Sequence, residues 1–558
     1  MNTKFFLTLS ACSLFVLTSC SKMGALSADN FTVTPNPLET QGGQVGATIN
    51  GLFPEKFMKR NATVTVIPEL RSAGGQVMQG EPATFQGERV MGNNQMISYR
   101  LGGRYTMKAS FPYTDEFQQS TMYLTFNARQ GKKQVQLPAV KVAEGVVATS
   151  ELYRKALLAD GAIIAPDSFQ RVQAQRQEAN VKFLINQAEL RKSELRNNSV
   201  QEFVSLLQRI NADRGKTMSM KNVQIQAYAS PEGGVSFNDR LANKRQDVSE
   251  GYVKQQLKQS KIDTEIDASY TAQDWEGFQR LVQASNIQDK DVILRVLSMY
   301  KDPQEREQQI RNMSEGFQEL ASGILPELRR SRLTINYEIV GRSDEEIQRQ
   351  YEENPVVLSP DELLYAATLE TNPARQEEIY KTAARCYDKD YRAYNNLAVL
   401  AFNRGNYDEA KRYLQQAHQA SPKAAEAFAN EGLLALKDGD VKTAEGLIAQ
   451  AADANSLDQA AGLLNLAKGN YAQAEANFNG RNTNCAALAQ IMNKNYAAAM
   501  ETLDKVPVNS AMTSYLHAII AARRGNKYAA QSYLKEALEK DPSLQTYADK
   551  DLELSFLK

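Results

Sequence analysis

A short repeated unit in the C-terminal third of the chain restricts the fold more than any other feature. The unit is G-N-Y-x-x-A, and complete or weaker copies begin at Gly405, Gly439, Gly469, Lys494 and Gly525. The first step is 34 residues, as is the preceding step from Thr371, and the later steps are 30, 25 and 31 residues. Ala, Leu and Tyr recur between the copies at helical spacing. This pattern predicts stacked helix pairs, because one such pair cannot bury its apolar face alone.

A 34-residue period with Gly at the turn and Ala where two helices cross resembles the tetratricopeptide repeat. The resemblance implies an all-α solenoid over residues 355–558, with truncated helices where the steps shorten. Its concave groove would bind a segment of an envelope protein as partner. The candidate groove residues are Tyr391, Tyr394, Asn395, Asn403 and Arg404. Packing between repeats is the alternative role for tyrosines, and it is favoured for Tyr407 and Tyr471. Cys386 and Cys485 are expected to be buried and unpaired.

The first twenty residues have the composition of a secretion signal. Lys4 is followed by an apolar run over residues 5–17 and then by LTSC, which ends at Cys20. The run is shorter than the roughly 20 residues that span a bilayer. The ending resembles the lipobox of bacterial lipoproteins, which implies a signal peptide at 1–19, acylation of Cys20 and a lipidated linker at 20–29. Ordinary cleavage beside an incidental cysteine is the alternative.

The residues after Cys20 suggest a destination for the lipoprotein. Neither an aspartate nor an acidic run follows directly. We therefore expect an outer-membrane lipoprotein that faces the periplasm and meets the membrane through its lipid anchor only.

Residues 30–148 are dominated by patterns of period two. In TMYLTFNAR, for example, Met122, Leu124, Phe126 and Ala128 share one face. Several such runs are separated by short polar breaks, including LGGR and ARQGKK. This arrangement predicts an all-β sandwich of immunoglobulin-like type, with the role of a spacer or interaction module.

Between residues 150 and 345 strands and helices alternate. Val181, Phe183 and Ile185 alternate as in a strand, and SVQEFVSLLQRI has helical spacing. NVQIQAYA predicts a second strand, a long helix follows it, and DTEIDASY and RLTINYEIV predict later strands. The order predicts an α+β sandwich.

Two polar residues, Asn238 and Arg245, lie seven residues apart on one flank of that long helix. Together with VKFLINQAEL, the turn SPEGG and LRRSRLTINYEI, they make the region from Ala159 to Arg342 resemble the OmpA-like, peptidoglycan-associated domain. The resemblance implies that Arg245 binds the carboxylate of diaminopimelate in a peptidoglycan peptide stem. A guanidinium fork matches a carboxylate with two parallel hydrogen bonds.

The turn departs from the family pattern. Counting back from Arg245, the position of the family's aspartate falls on Ser230, which brings no charge to meet an amine. Glu232 can substitute if the turn swings it inward. The implied peptidoglycan-binding set is therefore Arg245, Asn238, Ser230 and Glu232. In the alternative, Arg245 pairs with a nearby carboxylate or a carbonyl and the module binds no peptidoglycan.

A helix-rich insert separates the last two strands of this region. It spans about 272–328, begins with DWEGF and contains the single tryptophan, Trp275. An SPEG turn with a DWEG insert is similar to OmpA-like modules of Bacteroidota envelope proteins. The similarity implies a helical cap on the module.

Composition argues against several classes of function. Lys and Arg number 65, as do Asp and Glu, so no overall positive charge favours nucleic acid. The two histidines, His418 and His517, lie in the Ala-rich helical region, and no metal-binding, phosphate-binding or nucleophile motif occurs. We expect no cofactor, no metal and no catalysis.

Two functions remain. The first is an envelope scaffold lipoprotein that contacts peptidoglycan and recruits a partner through its repeats. The second is an accessory subunit of an envelope assembly or secretion complex whose OmpA-like site no longer binds peptidoglycan.

Overall fold

The computed structural model describes residues 23–154, 158–287, 289–312 and 314–557, without the side chains of 158, 159 and 314–316. The predicted signal peptide and Cys20 lie outside the described residues. The chain divides into two compact units, Met1–Asp167 together with Glu370–Lys558, and Ser168–Leu369. The β region and the repeats, predicted as separate domains, thus belong to one unit.

The β region consists of two sheets. Its strands in chain order are β1 (Phe31–Thr34), β2 (Thr40–Gln41), β3 (Gln44–Phe53), β4 (Ala62–Ser72), β5 (Val77–Gln79), β6 (Ala83–Gly87), β7 (Gln95–Ile97), β8 (Gly103–Pro112), β9 (Ser120–Gln130), β10 (Lys133–Val135) and β11 (Val140–Gly145). In the smaller sheet β3 pairs with β1, β2 and β8, and in the larger sheet β4 and β9 are central. Both sheets contribute to one buried core.

Side-chain alternation places the β core as the sequence predicted. Met122, Leu124 and Ala128 of β9 are completely buried, and Tyr123 and Thr125 are partly exposed. Phe126, predicted on the buried face, is only partly buried and packs against the edge of the core. Met23 and Leu26 are buried in the same core, at 1% and 5% exposure. Residues 23–29, predicted as linker, are therefore part of the β region.

The second unit has a four-stranded sheet in the order β12-β15-β13-β14. Its main elements are β12 (Val172–Lys182), α1 (Asn198–Asp213), β13 (Met218–Tyr228), α2 (Val235–Gln259), β14 (Glu265–Thr271) and β15 (Arg330–Val340). Only the β13–β14 pair is parallel. The α+β order is the predicted one, but β12 ends at Lys182, so Ile185 lies beyond the strand and is 52% exposed.

The insert forms a small helical body with a core of its own. It contains α3 (Trp275–Ala284), α4 (Lys290–Met299), α5 (Pro303–Arg311), α6 (Ser314–Glu319), a π-helical turn at Leu320–Ile324, and α7 (Leu325–Leu328). Phe278, Val282 and Ile293 are at most 1% exposed in that core. A separate apolar core supports the description of the insert as a cap.

Two helices that follow the sheet also belong to the second unit. They are α8 (Asp344–Glu353) and α9 (Pro360–Thr368). Arg342 forms an ion pair of 2.7 Å with Glu362 of α9, and Arg171 forms one with Asp344 of α8. The second unit thus spans 168–369, whereas the sequence placed this region at 150–345 and began the repeats at 355.

The rest of the chain is a series of antiparallel helix pairs. They are α10 (Pro373–Cys386), α11 (Tyr391–Asn403), α12 (Tyr407–Ala420), α13 (Ala425–Lys437), α14 (Val441–Gln450), α15 (Asp458–Ala467), α16 (Tyr471–Asn477), α17 (Asn484–Met492), α18 (Tyr496–Asp504), α19 (Ala511–Arg523), α20 (Lys527–Lys540) and α21 (Gln545–Ala548). Helices α14 and α16–α18 have 7–10 residues, against 14 in α12, which confirms truncation where the repeat steps shorten.

Each turn within these pairs has the conformation that its repeated glycine predicts. The residue at the turn has φ between +64° and +81° in all five copies: Gly405, Gly439, Gly469, Lys494 and Gly525. The alanine five residues later is completely buried in all five copies: Ala410, Ala444, Ala474, Ala499 and Ala530. Both parts of the repeat prediction are confirmed, and Lys494 keeps the left-handed conformation without the freedom of glycine.

Candidate binding sites

The predicted arginine of the OmpA-like site is a structural residue. Arg245 on α2 is 1% exposed and is the largest fully buried side chain of the described residues. Its Nε donates to the carbonyl oxygen of Gln187 at 2.9 Å, Nη1 to that of Tyr228 at 2.8 Å, and Nη2 to that of Leu184 at 3.1 Å. The guanidinium fork thus binds the chain's own carbonyl groups.

The surroundings of Arg245 lower its pKa but leave it charged at neutral pH. The guanidinium lies over the ring of Phe183, 4.9 Å from its centroid. Burial and, to a smaller extent, nearby Arg329 lower the pKa of Arg245 to about 10, although Glu232 acts in the opposite direction. Of the alternatives that the sequence left open, the bond to a carbonyl is the one observed. No exposed surface of this side chain remains for a peptide carboxylate.

Asn238 holds the turn that precedes its own helix. It is 2% exposed, and its Nδ2 donates to the carbonyl oxygens of Ser230, Glu232 and Gly233 at 3.1–3.2 Å. Gly233 has φ +96°, which the SPEGG turn accommodates because glycine has no Cβ. Asn238 therefore shapes the turn and presents no donor to a ligand.

The charged residue of the turn is paired within the chain. Glu232 Oε1 accepts from Ser230 Oγ at 2.8 Å and from Arg329 at 2.7 Å. Glu232 and Arg329 are each about one-eighth exposed. The sequence missed Arg329, although it lies in the quoted LRRSRL run, because nothing in the spacing shows which arginine reaches the turn.

The helical cap covers the same turn. Glu307 of α5 accepts a hydrogen bond from the Gly233 amide at 2.7 Å. The space left between Pro231, Glu232 and the cap residues around Phe278 is about 10 Å³, roughly the size needed for one water. All four predicted site residues lie close together here, but they are packed against one another and leave no open pocket between the turn and the cap.

The repeat helices contain a second candidate site, and it is occupied by the chain itself. We call residues 149–154 and 158–167, which join the β region to the second unit, the strap. The strap passes helices α11, α13, α15 and α17. The resemblance implied that these helices bind a segment of a partner; they hold a segment of the same protein instead, with 3-10 helical turns at Thr149–Glu151 and Leu158–Gly161.

Three asparagines fix the strap by its main chain. Asn430 accepts from the Ile163 amide at 2.8 Å and donates to the Ile163 carbonyl at 2.9 Å, and Asn395 donates to the same carbonyl at 2.9 Å. Asn396 repeats the paired contact at Ala165, with distances of 2.8 and 3.1 Å. Each amide replaces the main-chain partner that a neighbouring strand would provide.

The side chains of the strap are buried among the repeats. Leu152, Tyr153 and Ile163 are at most 5% exposed and belong to the apolar core of the repeat helices. Asp160 forms hydrogen bonds with Cys485 near the start of α17, and burial raises the pKa of both groups. The contacts of the strap are those of a core element.

The β region reinforces this attachment. Arg523 of α19 forms ion pairs with Glu39 and Glu553, and Thr149 donates to Glu553 at 2.8 Å. Gln41 donates to the carbonyl of Gly469 at 3.2 Å. These bonds explain why the β region and the repeats form one unit.

Only part of the predicted groove set lies against the strap. Asn395 does, whereas Arg404 forms ion pairs with Glu377 and Glu409, and Asn403 is exposed. Asn396 and Asn430 were missed, although they are 34 residues apart and share one position of the repeat. An asparagine that recurs at the 34-residue period within an otherwise apolar helix was the sequence signal that could have identified these binding residues.

Both histidines and the two described cysteines lie within the repeat helices. His418 packs at a tilt against Phe428, with ring centroids 4.4 Å apart, and His517 stacks on Tyr533, with its pKa lowered by burial. Cys485 is buried and hydrogen-bonded to Asp160, Cys386 is half-buried, and neither forms a disulfide. Within the described ranges, no group of three or more His, Cys, Asp or Glu side chains is placed to hold a metal. No helix among those residues is both long and apolar enough to cross a bilayer.

No protein-family model matches the chain, and no curated protein matches it by sequence. Similar solved structures include a tetratricopeptide repeat protein from Parabacteroides merdae, 18% identical, with a TM-score of 0.28 over 38% of this chain and 90% of that chain. PilF of Pseudomonas aeruginosa is 17% identical, with a TM-score of 0.27 over 37% and 98% of the two chains. PilW, a type IV pilus biogenesis factor, is 19% identical, with a TM-score of 0.26 over 35% and 94%.

At these identities and TM-scores, the likeness carries no conclusion about function. The 34-residue period, the left-handed turns and the buried crossing alanines are themselves features of tetratricopeptide repeats. The C-terminal part is a helical repeat array of that type, a class of interaction module that binds peptides and proteins.

Proposed function

We propose that this protein is a non-catalytic scaffold lipoprotein of the cell envelope, an accessory subunit of an assembly or secretion complex. Cys20 anchors it in the outer membrane on the periplasmic side. Its OmpA-like module positions other parts and does not bind the peptidoglycan peptide stem.

The bonding of Arg245 carries the last part of this proposal. Arg245 would bind a stem carboxylate with its guanidinium group. In the structure its Nε and both Nη atoms donate to carbonyl oxygens of the chain, and the residue is 1% exposed. Binding a stem would leave buried carbonyls without donors, at a cost of about 1–3 kcal/mol each. Glu307 of the cap also occupies the Gly233 amide that a ligand would approach.

Co-sedimentation with purified sacculi tests the absence of wall binding. The chain from residue 21 onward, without lipid, is expected to remain in the supernatant. A peptidoglycan-binding OmpA-like protein serves as the positive control. Pelleting that a soluble diaminopimelate-containing stem peptide reverses would contradict the proposal. The variant Arg245→Ala is unsuitable for this assay, because it removes three buried hydrogen bonds.

The anchoring part depends on the sequence around Cys20. Labelling with a palmitate analogue is expected to mark the wild-type chain and to be absent from Cys20→Ala. After a high-salt wash, which removes charge-dependent membrane contacts, the labelled chain is expected in the outer-membrane fraction and the variant in the soluble periplasmic fraction. Equal membrane association of the two proteins would count against the anchor.

The remaining part concerns the partner protein. The strap fills the groove that was predicted to recruit it, so we place partner binding on the outer surfaces of the array. Capture from envelope extract by the full chain is expected to be unchanged by an excess of a peptide corresponding to residues 160–167. Loss of a captured protein in the presence of this peptide would instead show that the partner displaces the strap.

A further inference from the structure

One end of the β region exposes an unusual concentration of apolar side chains. Met91 is 100% exposed, Leu101 79% and Met96 62%. They lie on residues 88–104, which pack against residues 54–60 through the Arg89 amide and the Arg60 carbonyl, at 2.6 Å. We call residues 54–60 and 88–104 together the tip. Fully exposed methionine and leucine on one soluble surface commonly mark a contact with a protein or a membrane.

The tip is also strongly basic, in a chain whose charges balance overall. It carries the acidic residues Glu55 and Glu88 and a larger basic set, Lys56, Lys59, Arg60, Arg89, Arg100 and Arg104. Glu88 is paired with Arg60 at 3.2 Å. Exposed apolar side chains bordered by cations match the chemistry of an anionic phospholipid surface, with acyl chains beneath phosphate groups.

The chain enters the β region at this same end. Phe31, the first residue of β1, pairs with Gly51, next to Leu52, whose partner on β8 is Arg104 of the tip. Further back, the Cβ position of Gly24 lies 3.9 Å from Cδ2 of Phe57, within the tip. The entry of the chain and the exposed apolar residues therefore share one end of the sandwich.

The distance to the proposed anchor is short. Met23 is 1% exposed and so is fixed to the β region. Two residues, Ser21 and Lys22, separate it from Cys20, and the three extended steps from Cys20 to Met23 span about 10 Å. A lipid on Cys20 would hold Met23 within about that distance of the membrane surface, at the end of the sandwich that carries the tip.

We propose that the tip is a second membrane contact, in which Met91, Met96 and Leu101 enter the headgroup region while the basic side chains pair with anionic phospholipid. This inference rests on the proposed anchoring at Cys20. The tip would give the β region a fixed orientation on the membrane, which a single flexible lipid attachment does not provide. A protein partner for the tip is the competing outcome. The short chain between Met23 and Cys20 and the basic residues of the tip favour the membrane.

Vesicle sedimentation tests the tip independently of the lipid. The full chain from residue 21 onward, without acylation, is mixed with vesicles of phosphatidylglycerol and phosphatidylcholine, or of phosphatidylcholine alone. We expect binding to the anionic vesicles only, weakened by salt. Met91→Ser with Leu101→Ser, and separately Arg89→Gln with Arg100→Gln, should each reduce the partition coefficient about tenfold or more. All four side chains are exposed, so folding is not at risk.

Matched substitutions on the repeats provide the controls. Val508→Ser removes an apolar side chain that is 72% exposed, and Lys411→Gln with Lys442→Gln removes two exposed cations, all outside the tip. These variants should bind as the wild type does. Absence of binding to anionic vesicles, or equal loss in the controls, would overturn the proposal. A tip that cross-links to an envelope protein and does not bind vesicles would assign the surface to that protein.

The two proposals fail separately. Absence of vesicle binding by a chain whose Cys20 is acylated in cells would remove the tip contact and leave the anchor. If Cys20 is not acylated in cells, the anchor is refuted. The proposed orientation of the β region on the membrane is then refuted with it, even if the chain binds vesicles.

Discussion

Asn430 binds the main chain of Ile163 with both its amide oxygen and its amide nitrogen, across 267 residues of sequence. The pair is completely enclosed, and Asn396 makes the same contact with Ala165. Such paired amides recognise a backbone in one register and not the identity of its side chains. The strap is thereby held as an internal ligand of the repeats.

Removing these amides should loosen the strap. In Asn396→Ala with Asn430→Ala, four hydrogen bonds to the strap are lost. The Ile163 amide and both main-chain groups of Ala165 then remain buried without these partners, while Asn395 still donates to the Ile163 carbonyl. We expect destabilisation of the first unit by at least about 3 kcal/mol, measured by urea unfolding. Hydrogen exchange at the amides of Ile163 and Ala165 should accelerate. Asn403→Ala, an exposed asparagine on the same helix as Asn396, should change neither quantity.

Substitution of Arg245 should act on stability. Arg245→Lys keeps a positive charge but replaces a planar fork by a single ammonium group, so it cannot serve three separate carbonyls. We expect the second unit to lose about 2–4 kcal/mol. Arg240→Ala, an exposed arginine on the same helix, is the control. Unchanged unfolding of Arg245→Lys would show that the buried fork is not required.

The repeats should gain stability as the pH falls, through Asp551. Burial raises the pKa of Asp551 to about 6, although Tyr515 donates a hydrogen bond of 2.7 Å to it. An unfolded aspartate titrates near pH 3.9, so the folded state takes up the proton more readily. Stability should therefore rise from about pH 6 down to about pH 4, by up to roughly 3 kcal/mol.

Asp551→Asn isolates that contribution, because Glu39, Glu151 and Asp160 also have raised pKa values and act in the same direction. The difference in unfolding free energy between wild type and variant should shift in favour of the wild type as the pH falls. A constant difference across this range would refute the assignment to Asp551.

Lys494 offers a simple gain in stability. It has φ +64° where the other four repeat turns have glycine. Lys494→Gly should stabilise the array by about 0.5–1 kcal/mol, because glycine adopts this conformation without strain. Gly525→Ala, at φ +76° with no nearby atom to clash, should destabilise it by a similar amount. Thermal unfolding of both variants measures the pair of effects.

The repeat array could be predicted well because its determinants are local. A glycine at a turn and an alanine at a crossing act within one helix pair, so spacing alone identified Gly405 and Ala410. The β alternation around Met122 and Leu124 is local in the same sense. The order of strands and helices in the second unit followed from periodicity as well.

The candidate sites could not be predicted in the same way. Arg245 has the right position for a ligand, but its partners at Leu184 and Gln187 are about 60 residues away and offer only carbonyl oxygens, which every residue has. The strap presents the same difficulty, since Gly-Ala-Ile-Ile-Ala has no pattern that distinguishes it from a linker. Both contacts depend on main-chain atoms. Every residue type has these atoms, so the sequence does not show which residues provide them.

The strap also imposes an order on how the protein is made. Its residues are synthesised before the helices that bury them, because the whole second unit lies between in the sequence. A nascent chain that has reached residue 369 exposes Leu152, Tyr153 and Ile163 without their partners. The first unit can close only after its last helices are synthesised, so a chaperone that shields the strap until then would protect the protein from aggregation.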